Sequence, residues 1–161
     1  NEVKSILQEF EIEKDFDLLT VLKDTQHYYN GYLFSKNGKN RVYNPDLTLY
    51  FMQNIIKNKA YPENILDLNI ITDYKKLENM AFNFKDEETI KRLISEEKVS
   101  TKLVEKFNLE YMYDKKENFI SLLYYMGMLT IESTYFDKCI MKIPNYSVKI
   151  IFMNGLLNSN M

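Results

Sequence analysis

The sequence contains few of the residues that most often build reactive or covalently stabilised sites. Among its 161 residues there are one cysteine, one histidine and no tryptophan. Cys139 has no partner for an internal disulfide, which favours a reducing compartment and a cytoplasmic location. A zinc site of the usual His/Cys kind is excluded within one chain, because only His27 and Cys139 are available. Burial of aromatic rings therefore depends on the 13 tyrosines and 10 phenylalanines.

Glycine is scarce as well, with four residues, and this argues against a phosphate-binding loop. A Walker A loop needs glycines whose backbone N–H groups surround the phosphates, followed by Lys and a Ser or Thr. Gly38-Lys39 lacks the earlier glycine and the later hydroxyl, so we interpret it as a hairpin turn. We expect no nucleotide site in this chain.

Neither a strong net charge nor a long apolar run is present. The formal charge is −2, and acids and bases are interleaved, which gives no support for a basic footprint over the whole surface. No stretch is long enough to span a bilayer and no signal peptide is recognisable, so no membrane partner is expected. The chain begins with Asn, and helical patterning starts almost at once, which predicts a segment of a longer protein.

The chemistry-bearing residues that are present give weak signals. A Cys139–His27 dyad is one reading, but a helix end for His27 and a packed strand for Cys139 are strongly favoured. The pair Glu87-Glu88 is typical of a helix start, where carboxylates interact with the helix dipole. We therefore expect no catalytic, cofactor-binding or metal-binding residue in this chain.

Apolar residues recur at helical spacing through the first sixty residues. Val3 and Leu7 predict a short first helix, and a second is expected from Asp15 to about Tyr29. Asn-Gly at position 30 then breaks the pattern, because Gly tolerates positive φ after a helix. The residues expected on the inner face of the second helix are Phe16, Leu19 and Leu22.

Residues 32–43 predict a β-hairpin, because two short aromatic and β-branched runs flank an Asn-Gly turn. Asn44-Pro45-Asp46 predicts the start of a helix, with an N-cap amide, a proline at the first helical position and an early acid. Further helices are expected after Thr72, Asp86 and Asp114. Residues 99–113 are expected to be irregular, with at most a short strand.

Near the C-terminus, residues 129–131 and 139–143 predict paired strands, and Pro144-Asn145 opens a last helix. The predicted fold is therefore mostly α with a small β component (α+β). A helical lid-like lobe with the hairpin covers residues 1–60, and a helical, winged-helix-like lobe covers residues 61–161. One continuous domain is the alternative.

The most specific pattern is a set of three motifs in a fixed order. The first is Tyr-Tyr-Asn-Gly-Tyr-x-Phe with a following Val-Tyr-Asn-Pro, the second is a Leu-Leu-Tyr-Tyr-Met-Gly-Met-Leu-Thr block, and the third is Ile-Pro-Asn. The signature residues are Tyr28, Tyr29, Asn30, Gly31, Tyr32, Phe34, Val42, Tyr43, Asn44, Pro45, Gly127, Pro144 and Asn145.

These motifs resemble the signature of bacterial AAA-ATPase-like proteins, which usually carry a PD-(D/E)xK nuclease-like domain at the C-terminus. Tyr28 stands where that family usually has Trp, and Asn30 stands where Asp is usual. The resemblance implies Walker motifs upstream of such a segment and the nuclease-like domain downstream. ATP and Mg would belong to the parent protein, and this chain would hold no cofactor.

By the same resemblance, the chain would be a non-catalytic region that couples or regulates an ATP-binding core outside it. Its partners would be that core and the nuclease-like domain of the parent chain. Lids of such ATPases sometimes donate an arginine to the nucleotide, but neither Arg41 nor Arg92 lies in a motif that supports this role.

Other functions stay open. The winged-helix-like tail is a candidate binding module for DNA or a protein partner, with Lys138, Lys142 and Lys149 as weak candidates for nucleic-acid contacts. The aromatic cluster around the first motif could stack on bases, but packing of the hairpin against helices is favoured because no basic stripe interleaves with it. An independent hydrolase requires a cleft that gathers carboxylates from distant segments.

Overall fold

The computed structural model of the chain describes residues 2–67, 87–95, 98–106 and 115–159. The helices are α1 (Glu2–Glu9), α2 (Leu18–Tyr29), α3 (Pro45–Asn58), α4 (Glu87–Ile94), α5 (Lys116–Tyr125) and α6 (Tyr146–Ser159). The strands are β1 (Val99–Thr101), β2 (Thr130–Tyr135) and β3 (Lys138–Lys142), and a 3₁₀ turn spans Ile12–Lys14. The fold is mostly helical α+β, as predicted. The expected helix after Thr72 and the expected caps at Asp86 and Asp114 lie outside the described residues.

α2 begins later than predicted, and of the three residues expected on its inner face, Phe16 and Leu22 pack against the core. Asp17 caps it, because its carboxylate accepts a hydrogen bond of 3.1 Å from the Thr20 N–H. Val21 is buried, whereas Leu19 is 65% exposed. The prediction that Leu19 faces the core was wrong, since at 3.6 residues per turn the two side chains lie about 200° apart around the helix. The buried residues of α2 are Val21, Thr25 and Tyr29.

α3 and α6 begin with the same cap. The Asn44 Oδ1 accepts a hydrogen bond of 3.1 Å from the Leu47 N–H, and Pro45 occupies the first turn, as predicted. The Asn145 Oδ1 accepts a matching bond of 3.1 Å from the Val148 N–H. A single amide therefore fixes where each helix starts. α5 differs, since its N-cap residue makes no side-chain cap hydrogen bond.

The predicted hairpin over residues 32–43 is reduced to one pair of residues. Tyr32 and Val42 exchange two backbone hydrogen bonds, of 3.1 and 2.9 Å. The next residue, Leu33, bonds to the sheet: its N–H donates to the Thr130 Oγ1 on β2 at 2.7 Å. Phe34, which would continue the ladder, stacks on the Tyr32 ring instead, with centroids 5.4 Å apart. After Tyr32, the backbone therefore bonds to Thr130 of β2 and does not continue the predicted strand pairing.

The three strands form an antiparallel sheet in the order β1–β3–β2. The pairing of β2 with β3 was predicted, and β1 adds to the other edge of β3, where Val99 lies opposite Met141. The register of β2 shifts between Ile131 and Ser133, which leaves Glu132 as the extra residue of a β-bulge. The bulge matters because it redirects a charged side chain at the point where the first motif approaches the sheet.

The hydrophobic core is shared by residues from both predicted lobes. Buried side chains of α1, α2 and α3 belong to the same cluster as those of α4, α5, α6 and the sheet. α6 contacts both α2 and α4, and thereby joins the early and late parts of the chain. The division of the chain near residue 60 stays a prediction. None of the described helices is long and apolar enough to cross a membrane.

Candidate functional site

The first and third sequence motifs meet at a half-buried bend. Gly31 has a φ of +116°, and its backbone lies directly against the backbone of Pro144. A Cβ added to Gly31 would overlap the Pro144 carbonyl oxygen and would lie 3.0 Å from the carbonyl carbon. Only glycine combines this φ with so small a volume, so the contact explains why the motif needs glycine here.

The first motif also contacts the second. Besides the hydrogen bond from Leu33, the buried Thr130 hydroxyl lies 3.5 Å from the Leu33 carbonyl oxygen. Gly127, with a φ of +74°, ends the turn after α5, and a Cβ there would lie 3.8 Å from the Tyr32 ring. The three motifs, far apart in the sequence, therefore form one contact region, which we call the motif junction.

The tyrosines of the first motif belong to the packing around this junction. Tyr29 is fully buried, its hydroxyl donates to the Ile65 carbonyl oxygen at 2.8 Å, and its ring centroid lies 5.4 Å from that of Phe51. Burial raises the pKa of the Tyr29 hydroxyl well above its ordinary value. The Asn44 N–H donates to the Tyr29 carbonyl oxygen at 2.8 Å, which joins the two halves of the motif.

The remaining signature residues surround the same bend. Asn30 ends α2, and its side-chain oxygen accepts a hydrogen bond of 2.7 Å from the Gly31 N–H. Tyr28 and Tyr43 are half-buried against the core. Phe34 and Val42 are exposed. The signature residues thus contact one another and the core, and four of them, Asn30, Val42, Tyr43 and Pro45, also line a cavity of about 740 Å³.

Beside the junction, the Glu132 carboxylate gathers three cations from distant segments. It accepts Arg41 at 2.7 Å and Lys142 at 2.6 Å, and Lys98 lies 3.3 Å away. Arg41 also donates to the Gly31 carbonyl oxygen at 2.7 Å, which ties this cluster to the bend. The hydrogen bond from Lys142 and its charge, with Lys98 and Arg41, hold the pKa of Glu132 below its usual 4.5. Glu132 is therefore ionised at neutral pH.

Sequence reasoning did not find this cluster. Glu132 owes its position to a bulge, and a bulge without glycine leaves no mark in the sequence. Arg41 was considered only as a nucleotide contact, and Lys98 was not singled out. Arg92 lies on α4 with its side chain exposed.

The three lysines proposed as nucleic-acid contacts fall in two places. Lys142 and Lys149 line a cleft of about 590 Å³, which we call the basic cleft. Lys138 is exposed at the other end of β3, beside the turn that joins β2 to β3. The polar lining of the basic cleft consists of His27, Lys98, Lys142, Asn145, Tyr146 and Lys149.

His27 and Cys139 occupy the positions that the sequence favours. His27 is exposed in the last turn of α2 and stacks on Tyr146, with ring centroids 5.0 Å apart. Cys139 is fully buried in β3, and burial raises the pKa of its thiol. No described hydrogen bond joins the two. Within the described residues, no group of three or more His, Cys, Asp or Glu could hold a metal ion.

Comparison with known proteins adds no relative to this picture. No family model matches the sequence. No curated protein and no solved structure matches it either. The resemblance to AAA-ATPase-like proteins therefore depends on the three motifs themselves.

Proposed function

We propose that this chain is a non-catalytic coupling region of an AAA-ATPase-like protein, which regulates an ATP-binding core outside the chain. The observation that carries the proposal is the motif junction. Gly31 packs on Pro144 and the Leu33 N–H bonds to Thr130, so the motif residues hold segments together. Four signature residues also line a cavity of about 740 Å³, but none of these four is an acid, a histidine, a lysine or a cysteine of the kind that carries out proton transfer or nucleophilic attack.

A winged-helix-like arrangement of the tail is part of this proposal. The order β1–β3–β2, with α4 before β1 and α5 directly before β2, supports it, and the β2–β3 turn is the wing. In DNA-binding proteins of the helix-turn-helix type, the second helix lies in the major groove. α5 is buried at every residue from 119 to 124, which leaves little free surface for a groove. A protein partner is therefore favoured over DNA.

The second candidate function is accordingly a protein-binding wing. Tyr135 is 68% exposed and Phe136 is 90% exposed at the tip of the β2–β3 hairpin. Two neighbouring aromatic side chains in water are the kind of anchor that protein interfaces bury. This surface is suited to a neighbouring domain of the parent protein.

The coupling proposal is tested by comparing two valine substitutions in a protein that joins this chain to its ATP-binding core. Thr130→Val removes the bond to Leu33 and is expected to change the ATPase rate about twofold or more. Thr134→Val, on the exposed part of β2, is the matched control and is expected to leave the rate unchanged. Equal rates in both variants would contradict the proposal.

The chain alone is expected to release no phosphate from Mg–ATP. Turnover that disappears on Lys39→Ala would show a catalytic site in this chain and would refute a purely coupling role. For DNA, titration of short duplexes at two salt concentrations is expected to show no salt-dependent binding. Binding that is lost with Lys138→Gln would favour the DNA-binding alternative.

A further inference from the structure

We infer that the basic cleft is a binding site for the diphosphate group of a small anionic ligand. This inference is independent of the proposed function, because none of its arguments uses the motif resemblance. It is carried by the charges that face the cleft, by the donors at the start of α6 and by the size of the cavity.

The cleft collects positive charge from separate segments of the chain. Lys98 precedes β1, Lys142 ends β3 and Lys149 lies in α6, and no Asp or Glu is among the described residues that line the cavity. Glu132 lies behind Lys98 and Lys142 and bonds to both. Arg41 shares the same carboxylate but does not line the cleft, so Lys98 and Lys142 face one acid and leave one positive charge in excess.

Hydrogen-bond donors point to the same place. α6 is 14 residues long and begins at the cleft, so its first N–H groups and its dipole favour an anion there. The Asn145 Oδ1 is committed to the Val148 N–H, which assigns the other atom of the amide as Nδ2. That Nδ2 is shielded from solvent and has no acceptor among the described residues.

The Ser147 Oγ, in the first turn of the same helix, is also buried without a described partner, but Ser147 is not among the described residues that line the cleft. Because both atoms are shielded from solvent, an anion in the cleft would bond instead to the free N–H groups at the start of α6. As the cap of α6, Asn145 uses only its side-chain oxygen, and its side-chain nitrogen has no described hydrogen-bond partner.

The cavity matches a ligand larger than a single ion. Its volume of about 590 Å³ lies within the range of about 300–1,000 Å³ that is typical of small-molecule sites. Lysines on three segments suit an anion with charges on more than one centre. A diphosphate, free or as part of a nucleotide, has this chemistry, and the ring of Tyr146 on the wall offers an apolar surface for a nucleoside.

The test is calorimetric titration of the intact chain with pyrophosphate at low salt. Lys149→Gln and Lys142→Gln are each expected to weaken binding about tenfold, as the loss of one charge-assisted hydrogen bond would do. Lys138→Gln is the matched control, because it removes the same charge from the same strand outside the cleft. Thermal melts check that each variant is folded.

Titration with ADP distinguishes the two sources of the diphosphate. Equal affinity for ADP and pyrophosphate indicates that the diphosphate alone is recognised, and tighter binding of ADP indicates a nucleotide ligand. Absence of pyrophosphate binding at about 1 mM, or equal loss in the Lys138 and Lys149 variants, would overturn the inference. Tighter binding of duplex DNA with equal loss in both variants would also overturn it, in favour of a diffuse nucleic-acid surface. None of these outcomes bears on the motif junction, which the Thr130 variant tests separately.

Discussion

Two bends in this protein have positive φ and opposite surroundings. Gly31, at +116°, lies inside the motif junction with its backbone against Pro144. Phe136, at +53°, lies in the β2–β3 turn with 90% of its surface exposed. At Gly31, the positive φ and the lack of space beside Pro144 together allow only glycine. In the turn, a bulky side chain is accepted because it is exposed and packs only on the neighbouring Tyr135 ring, so backbone strain is the main cost.

The largest effect is expected from Gly31→Ala. The substitution adds both backbone strain and a clash with the Pro144 carbonyl group, so we expect a loss of about 3 kcal/mol or more in the free energy of unfolding. Gly127→Ala is the matched control, because it adds strain at +74° where the nearest atom lies 3.8 Å away. We expect it to lose about 1 kcal/mol. Urea denaturation measures both, and equal losses would show that the Gly31 contact is not tight.

Thr130→Val is expected to lower the free energy of unfolding by about 1–2 kcal/mol. The valine keeps the shape of the side chain but leaves the Leu33 N–H without its acceptor in a buried region. Thr134→Val on the exposed half of the same strand is expected to change the free energy of unfolding by no more than about 0.5 kcal/mol relative to the unsubstituted chain. If the two variants have the same unfolding midpoint, the bond between the first and second motifs contributes nothing to stability.

Glu132→Gln is expected to lose about 1 kcal/mol at pH 7, because a half-buried carboxylate with three cations is replaced by a neutral amide. The pKa of Glu132 is lowered in the folded state, so its contribution is present above its usual pKa of 4.5 and is lost as the pH falls through the lowered value. The difference in the free energy of unfolding between the unsubstituted chain and Glu132→Gln should therefore shrink below pH 4.5.

Asp137→Asn provides the comparison for that pH dependence. Asp137 pairs with Lys102 at 3.3 Å on the surface, with both side chains 64% exposed. Exposed pairs of this kind contribute little, so we expect no measurable change in the free energy of unfolding at pH 7. Chemical denaturation at a series of pH values measures both variants. A larger loss for the Asp137 variant would show that burial does not distinguish the two carboxylates.

The smallest effect is a gain. Phe136→Asn keeps the turn and replaces a residue that resists positive φ with one that tolerates it, so stability is expected to rise by about 0.5 kcal/mol. Phe136→Ala removes the ring but keeps the strain, and is expected to give no gain. A differential scanning experiment that shows equal melting temperatures for the two variants would argue that strain at this turn is negligible.

Prediction from the sequence is most accurate where a single residue determines the local backbone geometry. The amides of Asn44 and Asn145 place the starts of α3 and α6, and the break predicted at Gly31 is found at positive φ. These features depend on hydrogen bonds and backbone angles within a few residues, which is the distance over which sequence patterns carry information.

Features that depend on distant contacts escaped prediction. The hairpin is short because Leu33 bonds to Thr130, almost a hundred residues later in the chain. The cluster around Glu132 depends on a bulge, and the basic cleft depends on how α2, β3 and α6 meet. On α2, only Leu19 was assigned wrongly to the inner face, because the fully buried residues of the helix follow a spacing of four.

The contact between Gly31 and Pro144 also has an evolutionary consequence. A side chain at position 31 becomes acceptable only if the backbone at 144 withdraws, so neither site can drift without a compensating change at the other. An alignment of descendants from one ancestor should show these two columns fixed together, or altered together, while the column at Phe136 varies freely.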